Sequence, residues 1–419
     1  MPRPCGIDFG TSNSSVGVAR GGRATLLPLQ DGASSVPTAL FFSFEDDTTT
    51  FGREAMDRYR MGEGGRLLRS IKTLLGTSLF EEMTQVRSRR YHFSEIVSSF
   101  LAFLRTTGEA CESAPLEDVV LGRPVFFVDD DETADRTAQQ QLEAAAHAAG
   151  FRSISFQLEP IAAALDYEQT VAKEEIALVA DIGGGTSDFS LVRVGPLLKG
   201  KADRRGDILG ANGVRVGGTD FDRQLSTATL MPFLGRNSRL KTKGLETPAW
   251  YYSDLGTWHR INSLYERKVV TEIRGLLRDS AEPEKIERLL SVLDLRKGHE
   301  LLGRVEQAKI ALSGETETRI DLADVVAGLQ LPVARTELET AISAGLQRIE
   351  ARVAALLVDA GLAASDVGTV FITGGSSGIP AVRTAITRGV PEARVIAGDA
   401  FGSVATGLAL DAARRYGGT

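Results

Sequence analysis

Asp8 and Asp181 each stand where an apolar run gives way to glycines and then to hydroxyl side chains. The two segments are Gly6-Ile7-Asp8-Phe9-Gly10-Thr11-Ser12-Asn13-Ser14 and, far along the chain, Ala180-Asp181-Ile182-Gly183-Gly184-Gly185-Thr186-Ser187-Asp188. Glycines let backbone N–H groups approach an anion with no Cβ in the way, and a tight turn aims several of them at one point. Thr11, Ser12, Asn13 and Thr186 add side-chain donors. A carboxylate beside a phosphate repels it, so an aspartate at both turns implies a divalent cation between them, and magnesium with a nucleoside triphosphate is the natural pair. One Gly-Thr-Ser cluster is an ordinary hairpin turn. The shared order of Asp, apolar residue, Gly and then Thr-Ser points instead to a phosphate clamp built twice. Neither copy is a Gly-x-x-x-x-Gly-Lys-Ser/Thr loop or a Gly-x-Gly-x-x-Gly helix start, so the sequence predicts a nucleotide held between hairpins.

The elements that must position these turns alternate in character. Strand-type runs are expected at Gly6 to Val18, Ala39 to Phe44, Val119 to Val128, Ile176 to Ala180, Phe189 to Val194 and Thr369 to Thr373. Helical patterns cover Glu95 to Arg105 with Ser94 as N-cap, Ala134 to Ala149 ended by Gly150, Phe221 to Leu230, Pro283 to Leu295, Gly303 to Leu312, Thr336 to Ala360 and Val404 to Tyr416. The alternation predicts an α/β chain of two halves, each opening on a clamp. Residues 237 to 280 are less regular, and Trp250, Tyr251, Tyr252 and Trp258 are expected to pack an inserted subdomain.

The chain has 419 residues, 42% hydrophobic and 25% charged, which allows two domains with sizeable cores. A formal net charge of -7 argues against a nucleic-acid or anionic-membrane partner. Arg87, Arg89 and Arg90 read as a solvated helix end or loop. No apolar run is long enough to span a bilayer, and the first strand follows Met1 too closely for a signal peptide, so cytoplasmic location is the expectation. Cys5 and Cys111 make no disulfide framework or metal cluster and read as small buried hydrophobes.

These segments, in this order, resemble the nucleotide-binding domain of 70-kDa heat-shock proteins of the DnaK type, within the actin, sugar-kinase and heat-shock ATPase superfamily. Besides the two clamps, Lys72-Thr73-Leu74-Leu75-Gly76 resembles the catalytic-lysine segment and Glu159-Pro160-Ile161-Ala162-Ala163-Ala164 the connecting motif. Thr373-Gly374-Gly375-Ser376 with Ile379-Pro380 resembles the adenosine motif. The insertion before Leu312 looks most like the truncated YegD-like branch. The resemblance implies an actin-like ATPase fold, two lobes of duplicated ribonuclease-H-like domains around a nucleotide cleft. It divides the chain into 1–166 as one lobe, 167–390 as the other with a helical subdomain at about 220–313, and 391–419 as a returning helix, with no peptide-binding domain. It assigns Lys72, Glu159, Asp181 and Asp188 to catalysis, Asp8 and Asp181 to magnesium through water, and Glu159 to the surrounding shell. Gly10 to Asn13, Gly183 to Thr186, Gly217, Gly218, Glu306, Lys309, Ser313 and Gly374 to Ser376 would hold ATP or ADP.

The chain departs from that pattern at three places. Ile310 and Gly378 stand where arginines sandwich the base, and Asp399-Ala400-Phe401-Gly402 replaces an Asn-Pro-Asp-Glu run. Glu306 and Lys309, three apart on one helix, read on their own as an ion pair. The implied function is a slow magnesium-dependent ATPase acting as a monomeric, nucleotide-switched chaperone module with an unidentified protein partner or client. The alternatives are a small-molecule kinase, and a non-hydrolysing nucleotide sensor or actin-like polymer.

Overall fold

Two sheets of the same strand order carry the clamp segments. The first contains β1 (Cys5–Phe9), β2 (Asn13–Arg20), β3 (Arg23–Leu26), β4 (Asp118–Arg123) and β5 (Ser153–Leu158), in the order β5-β4-β1-β2-β3, with Ser35–Pro37 paired beside β2. The second contains β6 (Glu175–Ile182), β7 (Ser187–Val194), β8 (Ile208–Val214), β9 (Val367–Thr373) and β10 (Arg394–Ala397), in the order β8-β7-β6-β9-β10. In each sheet an antiparallel three-strand meander is extended by two parallel strands. The two sheets are therefore one topology used twice.

The computed structural model describes residues 2–199, 201, 204–242, 244–323, 328–399 and 402–417. The chain folds as two compact units, Met1–Gly218 with Gln347–Ser377 and Val382–Thr419, and Thr219–Leu346 with Gly378–Ala381. Both sheets lie in the first unit. The second holds the helices Ala249–Leu255, Arg267–Asp279, Pro283–Asp294 and Gly298–Gly314 and the hairpin Glu317–Asp321 with Gln330–Ala334. Among the described residues, no helix is long and apolar enough to cross a membrane.

Helix α1 (Phe93–Glu112) buries Ile96, Val97, Phe100, Leu101 and Leu104 on one stripe against the first sheet's core. It starts before the expected Ser94 cap: His92 is the cap, and Glu95 Oε2 accepts the His92 N–H at 2.8 Å. Helix α2 (Glu132–Ala148) is capped by Asp131, which accepts from the N–H groups of Thr133 and Ala134 at 3.0 and 2.9 Å. Gly150, at φ +98, follows its end as expected. β4 stops at Arg123 and does not reach Val128, because Pro124 has no N–H to continue the ladder.

Helix α3 (Glu159–Tyr167) and helix α7 (Ser403–Tyr416) pack closely in the first unit. Between them in the chain lie α4 (Gly218–Leu225), α5 (Gly298–Gly314) and α6 (Arg335–Asp359). A Cβ at Gly407 would lie 1.8 Å from the Ala162 carbonyl oxygen, so the α3–α7 crossing needs glycine there. Their apolar sides, including Ile161, Ala162, Ala163, Val404 and Leu408, form a core cluster with Val120, Ala177, Val179 and Phe371 from both sheets.

Several readings need correction. Residues 237 to 280 are not irregular: two helices form there, and Tyr251, Tyr252 and Trp258 are buried as expected, while Trp250 is 43% exposed. The expected helix to Leu230 ends at Leu225 and continues as a π turn over Ser226–Leu230. Arg89 and Arg90 sit on a strand, Arg89–His92, paired with Met83–Val86, and Arg87 occupies the turn at φ +53. Cys5 is buried as expected, but Cys111 is exposed, on the solvent side near the end of α1. Ala400 and Phe401 of the divergent run lie outside the described residues.

Candidate functional site

Asp8 is the penultimate residue of β1 and Asp181 that of β6, and Asp181 faces Asp188 across the β6–β7 ladder. The equivalent register pairs Asp8 with Ser15. The turns that follow are held by their own backbones. In the second, Gly183 N–H bonds the Thr186 carbonyl at 2.9 Å; in the first, Thr38 pins the backbone, its N–H donating to Ser12 O at 2.9 Å and its hydroxyl to Gly10 O at 2.8 Å. The two turns converge. A Cβ at Gly184 would lie 2.3 Å from Ser12 Oγ, and one at Gly185 2.8 Å from Thr11 Oγ1.

A third glycine segment closes on the second turn. Gly374, at φ +86, brings its backbone against Ile182 O and Asp181 Oδ1, where a Cβ would lie at 2.4 and 2.5 Å. Ser376 Oγ donates to Gly183 O at 3.2 Å, and Gly375 lies between these two residues in the same turn. From the other side, Gly218 N–H bonds Gly183 O at 3.0 Å and Gly217 abuts Gly184 and Gly185. Glycine segments distant in sequence thus gather round one turn.

Lys72 and Glu159 complete the group. Lys72 lies on a single 3-10 turn, Ile71–Leu74, rather than on a helix, and this turn follows Ser70 at φ +57. Glu159 opens α3, with Pro160 preset for the first turn. Lys72 Nζ donates to Glu159 Oε1 at 2.6 Å, and both side chains are 7% exposed. Asp188 Oδ1 accepts the Val125 N–H at 2.6 Å; its Oδ2 is buried with no hydrogen-bond partner among the described residues.

Burial governs the electrostatics. Asp8 is pushed up to about 7 by loss of solvent and then by the Glu159 charge, with Lys72 opposing. Asp188 is raised to about 7 by burial and by Glu159, against the hydrogen bonds from Thr186 and Val125. Asp181 is raised well above its ordinary value by burial, then by Glu159, Asp8 and Asp188. Burial pushes Lys72 down, but Glu159, Asp8 and Asp188 outweigh it, so its ammonium is held above the ordinary range. One ammonium thus stands among four carboxylates, a shortage of positive charge that a cation would relieve.

The remaining predicted residues lie in the second unit. Lys309 on α5 pairs with Asp222 Oδ1 of α4 at 2.8 Å, both nearly buried. Glu306, Lys309 and Ser313 share α5. Ser313 lies beside Gly378, where a Cβ would be 3.8 Å from Ser313 Cβ, and Ile310 is 53% exposed.

A family model described as Hsp70 protein matches residues 4–239 and 284–417. The chain belongs to the 70-kDa heat-shock protein family. Its fold is the α/β actin-like ATPase fold of that family, seen here as two sheets of one strand order. This Hsp70-family chain therefore carries a chaperone-type ATP-binding domain. At the family level, its members are ATPases that bind ATP or ADP with magnesium and work on client proteins. Residues 240–283 fall outside the match and include the two helices that the sequence pattern did not reveal. Sequence reasoning also missed Thr38, Val125 and Ser70. Each acts through its backbone or a single hydroxyl, and none lies in a motif, so no local pattern marks them.

Proposed function

We propose that this Hsp70-family chain binds ATP with magnesium and hydrolyses it slowly, as the nucleotide-switched module of a chaperone system. The observation that carries the reading is the buried Lys72–Glu159 pair set among Asp8, Asp181 and Asp188. The group fits a hydrated magnesium ion: Asp188 keeps an unpartnered buried oxygen, and burial penalises the anionic form of three aspartates. Asp8 and Asp181 would hold it through its waters, with Glu159 ordering the surrounding water. Magnesium, when bound, neutralises charge that develops on the phosphates.

The chain's own groups supply the rest of the proposal. Backbone N–H groups of Gly10 to Asn13 and Gly183 to Thr186, with the Thr11, Ser12 and Thr186 hydroxyls, would cradle the phosphates. Lys72, fixed by Glu159, would orient the attacking water, and Asp188 would accept or relay its proton, because phosphoryl transfer to water depends mainly on positioning and charge. Gly217, Gly218, Gly374, Gly375 and Ser376 would hold the nucleoside; the same role for Glu306, Lys309 and Ser313 rests on the family resemblance alone. The assignment to the YegD-like branch rests on the resemblance of the long insertion between the second clamp and Leu312.

Single-turnover hydrolysis of ATP with magnesium tests the reading, with wild type beside Lys72→Ala and nucleotide affinity measured on both. Wild type hydrolyses, and Lys72→Ala keeps its affinity but loses about a hundredfold in rate. Wild type that binds ATP without cleaving it would remove the ATPase reading.

A further inference from the structure

The loop from Val214 to Gly218 is stitched to the second phosphate turn on both sides. Ser187 Oγ donates to Val216 O at 2.7 Å, and Gly218 N–H bonds Gly183 O at 3.0 Å. Arg215 immediately precedes the first of these ties, Val216, and its side chain reaches toward the Lys72 segment. Its Nη2 donates to the Thr73 carbonyl at 2.9 Å, one residue beyond Lys72. Its own N–H is received by both carboxylate oxygens of Asp129, at 3.1 and 3.0 Å, and Arg348 Nη2 holds Asp129 Oδ2 at 3.0 Å.

The Lys72 turn has cause to need such a tie. It is a single 3-10 turn, Ile71–Leu74, entered through Ser70 in the left-handed region, and a non-glycine residue there carries strain that its surroundings must hold. Within the turn, Thr73 N–H and hydroxyl both return to Ser70 O, at 3.1 and 2.7 Å. The Thr73 carbonyl points outward to Arg215. A guanidinium is permanently charged and planar, so it is well suited to hold a carbonyl at fixed direction.

We propose that Arg215 is a positioning residue for Lys72. It locks the lysine-bearing turn to the loop that grips the second phosphate turn, so that the ammonium and the glycine donors keep one geometry. Asp129, braced by Arg348, fixes the backbone from which Arg215 reaches. The proposal rests on the reading of Lys72 given above. It assigns Arg215 an effect on the chemical step rather than on nucleotide affinity, because the phosphate cradle is tied to Gly183 and Ser187 by bonds that do not involve the guanidinium.

Two readouts on the full chain separate this proposal from that reading. Amide hydrogen exchange of the peptide covering residues 71–77 is measured in wild type, Arg215→Ala, Arg215→Lys and Arg348→Ala, without nucleotide. Arg215→Ala exchanges there severalfold faster, Arg215→Lys lies between it and wild type, and Arg348→Ala, which removes only the brace on Asp129, exchanges faster than wild type but less than Arg215→Ala. Single-turnover hydrolysis is followed on the same proteins, and Arg215→Ala loses roughly ten- to a hundredfold in rate with ATP affinity within about twofold of wild type. Unchanged exchange at 71–77 in Arg215→Ala overturns the proposal whether or not the chain hydrolyses ATP. Rate and affinity falling together in Arg215→Ala, without rescue by lysine, also overturns it. Wild type with no hydrolysis, but with faster exchange in Arg215→Ala, keeps the positioning role and removes only the ATPase reading.

Discussion

Asp8, half-buried in β1, gains proton affinity from loss of solvent around its carboxylate and from the neighbouring Glu159 charge. Its carboxyl moves from an ordinary 3.8 to about 7 in the fold. Between those values the folded chain binds more protons than the unfolded one, so the contribution of Asp8 to stability is full below about pH 4 and is lost as pH rises through 7. Asp8→Asn cannot ionise. Thermal melts without metal or nucleotide should therefore show the variant matching wild type below about pH 4 and exceeding it increasingly as pH rises, by a few kcal/mol at pH 8; parallel profiles across that range would count against the raised proton affinity of Asp8. The two thiols provide a second check at this scale. Burial pushes Cys5 far up, whereas Cys111 is exposed, so a thiol reagent at neutral pH should label Cys111 alone in the native chain and both after denaturation. Labelling of Cys5 without denaturant would contradict the burial described here. The sequence shows Asp8, Asp181 and Asp188 plainly, because an acid beside glycines is visible in a line of letters. It does not show Val125 or Thr38, whose contributions are an N–H and a hydroxyl brought in from other strands.

The elements were legible where one period ran unbroken. Ile96, Phe100 and Leu104 announce α1, and the β6 and β7 runs stand out around the second clamp. The boundaries followed backbone chemistry that a pattern does not carry: Pro124 ends β4 early, and Glu95 caps α1 at His92. Helices Ala249–Leu255 and Arg267–Asp279 were hidden because aromatic and polar residues mix across them. The α3–α7 crossing depends on Gly407, whose missing Cβ admits the Ala162 carbonyl. Gly407→Ala should push these helices apart and lower stability by about 2 kcal/mol or more, since overpacking at a backbone contact has no side chain that can yield. A chemical-denaturation midpoint equal to wild type would mean that the helices can slide at no cost.

For the molecule as a whole, repetition was the strongest signal in the sequence. Two clamp segments implied two related halves, and the sheets are one topology used twice. What the sequence could not show is the convergence of Lys72, Glu159 and the two turns, since their separation along the chain says nothing of the 2.6 Å between Lys72 and Glu159. The proposed function requires magnesium and phosphate to complete this charge cluster. Calorimetric titration of ADP tests that requirement most directly, with magnesium and then with a chelator, on wild type and Asp181→Asn. Wild type should bind at least about tenfold more tightly with magnesium, and the substitution should shrink that ratio. Equal affinity in wild type with and without the metal would contradict the requirement.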